Sequence, residues 1–190
     1  MIPTQPDLFG TPRPIYPPGF QYAEAIVPAS VQQSLLAEVS ALPFKAFDFH
    51  GFEGKRRVIS FGWRYDFDTE RLAPSEPMPN FLLQVRSLAA GFAGLEDERL
   101  QQALVTEYGP GAPIGWHKDK AVFGAIVGIS LLSACTFRLR RKMGTKWERV
   151  SLEVQPGSAY LLSGAARQDW EHSIPPVEQT RYSITFREIR

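Results

Sequence analysis

Hydrophobic positions along this 190-residue chain change period near residue 102. Before it, the spacing is helical. Val31, Leu35, Val39 and Leu42 recur at intervals of four, four and three, which predicts a helix over Ser30–Ala41 stopped by Pro43. Phe81, Leu82, Val85, Leu88 and Ala89 mark a second helix that begins near Pro79 and ends near Gly91. After residue 102, short apolar runs alternate with Gly and Pro turns. They predict strands at Ala103–Tyr108, Ala125–Leu132, Thr136–Arg141, Arg149–Val154, Ala159–Leu162 and Arg181–Arg187. Helices first and many short strands afterwards imply a mainly β, α+β fold, with helices packed on an antiparallel sandwich or jelly roll. The first 19 residues hold Pro3, Pro6, Pro12, Pro14, Pro17 and Pro18, so residues 1–19 read as an extended arm and residues 20–190 as one domain.

Composition narrows the class without naming it. Hydrophobic and charged fractions of 44% and 22% are ordinary for a soluble globular domain. A formal net charge of +1 does not announce a nucleic-acid binder, although it is silent about local patches. The lone Cys135 allows no internal disulfide and suits a reducing compartment. No apolar run is long enough to span a bilayer, and the N-terminus lacks the pattern of a signal peptide. A cytoplasmic monomer with no membrane association is the expectation.

The chemistry is concentrated in the last third. His117 and Asp119 are two apart, so in extended backbone their side chains share a face. His172 arrives on a later segment. Two imidazoles and one carboxylate form the facial triad of non-haem Fe(II) oxygenases, which leaves coordination positions open for a cosubstrate and O2. Zinc could use the same residues, but soft cysteine ligands are absent. Arg181, Ser183, Thr185 and Arg187 share one face of the last strand. A polar face inside a small barrel is costly unless it binds something polar. Two arginines on that face suit a short dicarboxylate such as 2-oxoglutarate, whose far carboxylate would meet a guanidinium fork.

Val105-Thr106-Glu107-Tyr108-x-x-Gly111-x-x-Ile114-x-x-His117-x-Asp119, with Ile126-Val127-x-x-Ser130-Leu131, Ser163-Gly164-x-x-Arg167-x-x-Trp170-x-His172 and Arg181-x5-Arg187, resembles the AlkB family of Fe(II)/2-oxoglutarate dioxygenases. The likeness is strong from Ala103 to the C-terminus and visible back to Gly19. It implies a double-stranded β-helix over residues 102–190, with helices and a nucleotide-recognition lid over residues 20–101. It implies iron held by His117, Asp119 and His172, and 2-oxoglutarate held by Tyr108, Arg181 and Arg187. Family members commonly carry Asn where this chain has Thr106 and Ser183; both hydroxyls still donate a hydrogen bond. The implied reaction is oxidative demethylation of N-alkylated bases in DNA or RNA, with release of formaldehyde, succinate and CO2. The same oxygenase chemistry on a protein or small molecule is one alternative, and a non-catalytic nucleic-acid binding module is another. DNA-repair members often place acidic residues just after the first ligand pair, where this chain has Ala121 and Val122 before Phe123.

The substrate contacts expected from this resemblance centre on Lys55–Tyr65. Phe61, Trp63 and Tyr65 would share one strand face and offer a stacking ring, while Arg57 and its basic neighbours would meet phosphates. The same alternation also suits a core strand with three buried aromatics. A second basic run, Arg138-Leu139-Arg140-Arg141-Lys142, makes Arg141 a further substrate contact. In the arm, Gln5-Pro6-Asp7-Leu8-Phe9 resembles the short motif with which bacterial proteins dock on the DNA sliding clamp.

Overall fold

The structure is a computed structural model that describes residues 15–49 and 52–190. Most of the expected arm, including the clamp-like Gln5–Phe9, and His50 lie outside the described residues. In chain order the elements are β1 (Phe20–Ala23), α1 (Ala29–Ser40), β2 (Lys45–Phe49), β3 (Phe52–Phe61), β4 (Trp63–Asp66), β5 (Arg71–Pro74) and α2 (Asn80–Ala93). There follow β6 (Leu100–Tyr108), β7 (Ile114–His117), β8 (Phe123–Leu131), β9 (Cys135–Met143), β10 (Lys146–Val154), β11 (Ala159–Leu162), the short α3 (Gly164–Gln168), β12 (Glu171–Ile174) and β13 (Arg181–Ile189).

Two antiparallel sheets face each other. One has seven strands in the order β1-β11-β8-β13-β6-β3-β2, the other four in the order β10-β9-β12-β7. Strands β6 to β13 are shared between them, so that the chain winds from sheet to sheet as a double-stranded β-helix. The fold is the jelly roll that the strand pattern predicts. Burial follows the period-two alternation. Phe137, Leu139, Leu152 and Val154 fill the space between the sheets, whereas Val105, Ile129, Leu161 and Ile184 point to the far side of the larger sheet and pack under the helices.

Helix α2 buries Leu82, Val85, Ala89 and Ala90 against that far side. Truncating the fully buried Leu82 to alanine would cost about 2–5 kcal/mol. The helix runs two residues past the expected stop at Gly91. Gly94 ends it, because its left-handed backbone (φ 66°) caps the last turn.

The expectation of one face shared by Phe61, Trp63 and Tyr65 is corrected by Gly62. Its φ of 72° breaks the strand, and a Cβ there would sit 2.2 Å from the Gln101 carbonyl oxygen. Phe61 consequently ends β3 inside the core beneath the helices. Trp63 and Tyr65 belong to the separate β4–β5 hairpin, which stands beside the open end of the barrel.

Candidate metal centre

The register of β12 on β7 makes His172 and His117 direct cross-strand partners, with ring centroids 4.2 Å apart. Asp119 follows two residues after His117. One ligand atom from each of the three lies within 4.8 Å of the others. His117 Nδ1–H donates to the Gly115 carbonyl at 2.9 Å, and that tautomer leaves Nε2 with its lone pair available to a metal. His172 Nε2 is 3.6 Å from Asp119 Oδ2. Burial lowers the pKa of both imidazoles. His172 is pushed down to about 3 by burial first and by neighbouring His117 second, against the pull of Asp119. Burial would raise Asp119, but Arg187, His172 and His117 outweigh it and hold the carboxyl well below the usual range. Neutral imidazoles beside an ionised carboxylate are the protonation states that a divalent cation requires.

Arg187 crosses from the larger sheet to orient that carboxylate. Its Nε donates to Asp119 Oδ1 at 2.9 Å. Its Nη1 donates to Gln102 Oε1 at 3.1 Å, and Gln102 Nε2 donates to the Trp63 carbonyl of the hairpin at 3.0 Å. Arg167 Nη2 donates to the carbonyls of Lys120 and Phe123, fixing the loop that carries Asp119. Lys120 in turn reaches Glu70 at 3.2 Å and lies 5.3 Å from the Tyr65 ring centroid.

The inward face of the larger sheet is polar in rows. Arg181, Tyr108 and Arg56 are successive partners across β13, β6 and β3, and Ser130, Ser183, Thr106 and Val58 form the next row. Arg181 is fully buried. Its Nε donates to Ser130 Oγ at 3.1 Å, its guanidinium carbon sits 5.0 Å from the Tyr108 ring centroid, and no described residue accepts from Nη1 or Nη2. A buried guanidinium with two free donors fits a carboxylate ligand. The donor set and this cation therefore fit Fe(II) and 2-oxoglutarate together.

His117, Asp119, Arg187, Gln102 and Arg56 line a cleft of about 1830 Å³ between the barrel mouth and the β4–β5 hairpin. Its walls include Tyr65, Phe67, Trp116 and the cations Lys45, Lys55, Arg56, Arg64, Lys118 and Lys120. Tyr65 is thus the one expected stacking ring that reaches the cleft. Arg57 points to the opposite face of β3, where it pairs with Glu107, because neighbouring strand residues alternate. Arg141 pairs with Glu148 and lies over Trp170, away from the cleft.

Sequence reasoning left out Ser130 and Gln102 as site residues, although the signal was available: both are polar at inward positions of strands, at 0% and 2% exposure. Arg56, one of the basic neighbours of Arg57 expected to meet phosphates, does line the cleft. It lies 4.0 Å from the Phe47 ring centroid, and burial lowers its pKa against the opposing influence of Tyr108.

The profile of the 2OG-Fe(II) oxygenase superfamily matches residues 25–187. An Arabidopsis thaliana protein named as an alkylated DNA repair protein ALKBH8 homolog is 26% identical over 182 residues, covering 83% of this chain and 51% of the relative. The mouse mitochondrial alpha-ketoglutarate-dependent dioxygenase alkB homolog 7 is 34% identical over 110 residues, covering 56% and 48%. The chain spans about half the length of these curated relatives. Among solved structures, that of OsALKBH1 superposes with a TM-score of 0.66 at 15% identity, covering 92% of this chain and 99% of that one. A Pseudomonas putida prolyl-4-hydroxylase gives 0.59 at 13%, covering 90% and 93%. Both share the fold.

Proposed function

This chain belongs to the 2OG-Fe(II) oxygenase superfamily, as a dioxygenase similar to the AlkB homologues, and we propose that its substrates are N-alkylated bases in single-stranded or locally opened nucleic acid. The observation that carries the proposal is the cleft. At about 1830 Å³ it exceeds the roughly 300–1,000 Å³ of small-molecule sites, and it places an aromatic hairpin and a basic rim beside the His-Asp-His cluster. A base can be modified there only after leaving its stack, and Tyr65 and Phe67 offer it replacement surfaces.

His117, Asp119 and His172 would hold Fe(II), and Arg181 with Tyr108 would take the far carboxylate of 2-oxoglutarate. When bound, iron would activate O2, the oxidant: 2-oxoglutarate would be converted to succinate and CO2, and an oxidised N-methyl group would leave as formaldehyde. The rest is done by this chain's own side chains. Arg187 fixes the Asp119 carboxylate. Ser130 sets the angle of Arg181. The contacts of Lys120 with Glu70 and Tyr65 hold the hairpin over the loop that carries Asp119. Rim lysines and arginines would meet phosphates and position the strand without reading its sequence.

The test is mass spectrometry of a panel of N-methylated DNA and RNA oligomers after incubation with the enzyme, Fe(II), 2-oxoglutarate and ascorbate. Loss of a methyl mass with stoichiometric formaldehyde supports the proposal. Succinate formation that no oligomer stimulates removes it and points to a protein or small-molecule substrate.

A further inference from the structure

The outward side of the four-stranded sheet carries a layer of indoles and guanidiniums that the reaction does not use. Cross-strand register puts Lys142 beside Trp147, and Arg140 beside Arg149, on one face. The buried side chains of Phe137, Leu139 and Leu152 show that this face is the one turned away from the barrel interior. Arg138 and Arg140 both lie over Trp116, at 5.0 and 4.4 Å, and Arg140 also lies 4.2 Å from the Trp147 ring. Arg149 stands on Trp147 at 6.0 Å. Nε of Arg138 donates to Ser173 Oγ, and Nε of Arg140 to Glu171. Each of these two guanidiniums is thus held over an indole and tied at one nitrogen. Their remaining N–H edges suit phosphate oxygens. Trp116 also lines the cleft, so the basic face continues directly from the barrel mouth.

We propose that this face is a track for the single-stranded nucleic acid that flanks the target base. The strand leaves the cleft over Trp116 and runs across Arg138 and Arg140 toward Arg149 and Lys142. Three strand spacings separate β7 from β10, about 14 Å, enough for a few nucleotides. The inference rests on the reading of the cleft as a nucleic-acid site, and it locates that site's second half. Planar cations stacked on indoles favour a strand with planar bases and regular phosphates over other polyanions.

The experiment compares wild type with the double variant Lys142→Ser, Arg149→Ser, both positions being exposed. Metal-loaded protein with 2-oxoglutarate is held without oxygen. Binding of single-stranded 3-mers and 12-mers is followed by fluorescence anisotropy across a salt series. Each phosphate contact contributes about 0.7 to the salt slope on single strands, so the variant's slope for the 12-mer should fall by about 1.4. At 0.1 M salt that is roughly 25-fold weaker binding. Affinity for the 3-mer, and turnover of a methylated 3-mer, should match wild type. An unchanged slope, or a wild-type 12-mer that binds no tighter than the 3-mer, overturns the proposal. So does a 12-residue polyglutamate that binds as tightly as the 12-mer. If wild type demethylates no oligomer, the functional reading fails instead. The unmethylated 12-mer then still reports on the face by itself.

Discussion

Replacing Arg181 with methionine should weaken cosubstrate binding and strengthen the fold at the same time. The guanidinium is fully buried, with Nε on Ser130 Oγ and no described acceptor for Nη1 or Nη2. Each unpaired buried donor group costs about 1–3 kcal/mol, and methionine fills similar space without that cost. Losing the Ser130 hydrogen bond offsets about 1 kcal/mol. The variant without 2-oxoglutarate should therefore gain about 1–5 kcal/mol, and a chain of this size shifts by about 2–4 °C in Tm per kcal/mol. Two charge-assisted hydrogen bonds to a carboxylate, at about 1.5–3 kcal/mol each, make 2-oxoglutarate bind about 10²–10⁴-fold more weakly to the variant. The assay is thermal unfolding of the metal-loaded protein without oxygen, across a 2-oxoglutarate titration. At a hundred times its Kd the ligand adds about 2.7 kcal/mol to wild type and almost nothing to the variant. The two melting curves should converge during the titration and change order once the ligand's increment to wild type exceeds the variant's initial gain. A variant less stable than wild type without ligand, or one that 2-oxoglutarate stabilises as much as wild type, would falsify the assignment of Arg181 as the carboxylate anchor.

His117→Ala or Asp119→Ala should abolish succinate formation while oligonucleotide affinity stays within about threefold, because phosphate contacts rather than the metal dominate that affinity; a chelator should reproduce the loss and added Fe(II) reverse it in wild type only. Tyr65→Ala removes the cleft's stacking ring, worth about 1–3 kcal/mol, so KM for a methylated oligomer should rise about 5- to 150-fold while the 2-oxoglutarate Kd is unchanged; an unchanged KM excludes stacking on Tyr65. The metal-free protein should lose stability in acid. His172 has an ordinary value of 6.5 and sits near 3 in the fold, so the unfolded chain takes the proton first; stability is complete above about pH 6.5 and has fallen by about 2 kcal/mol at pH 5. Urea titrations at pH 7 and 5 measure this, and His172→Asn should remove most of the difference.

The barrel was readable because each core strand obeys one rule. Ala159–Leu162 coincides with its predicted span, and Ala125–Leu132 and Arg181–Arg187 fall within a few residues of theirs. Long apolar alternation survives tertiary context because a one-residue slip would turn every buried side chain outward. Strands β7 and β12 carry the two histidines yet have only four residues each, too few for a period to show. They were found through their chemistry, not through their pattern. The reading of Lys55–Tyr65 as one strand face failed for a different reason. Lys55–Tyr65 reads as one alternating strand, and only the close approach of Gly62 to the Gln101 carbonyl, a contact with a distant segment, divides it.

The same distinction explains which site residues were legible. The triad and Arg181 stand out because their residue types are expensive to bury and their spacing is fixed by the metal and the dicarboxylate. Ser130 and Gln102 are ordinary residues whose importance arises only from pairing. Ser130 becomes a positioning group because β8 lies beside β13 and Arg181 reaches its hydroxyl. Gln102 becomes one because its amide joins Arg187 to the hairpin carbonyl of Trp63. Through that amide, the same arginine that orients a metal ligand is also tied to the position of the hairpin. A displacement of the hairpin would leave Gln102 with an unsatisfied donor at 2% exposure, a cost of about 1–3 kcal/mol. The seated hairpin and the ordered carboxylate therefore favour each other, and under the proposed function a strand held against Tyr65 would stabilise the arrangement that holds the metal.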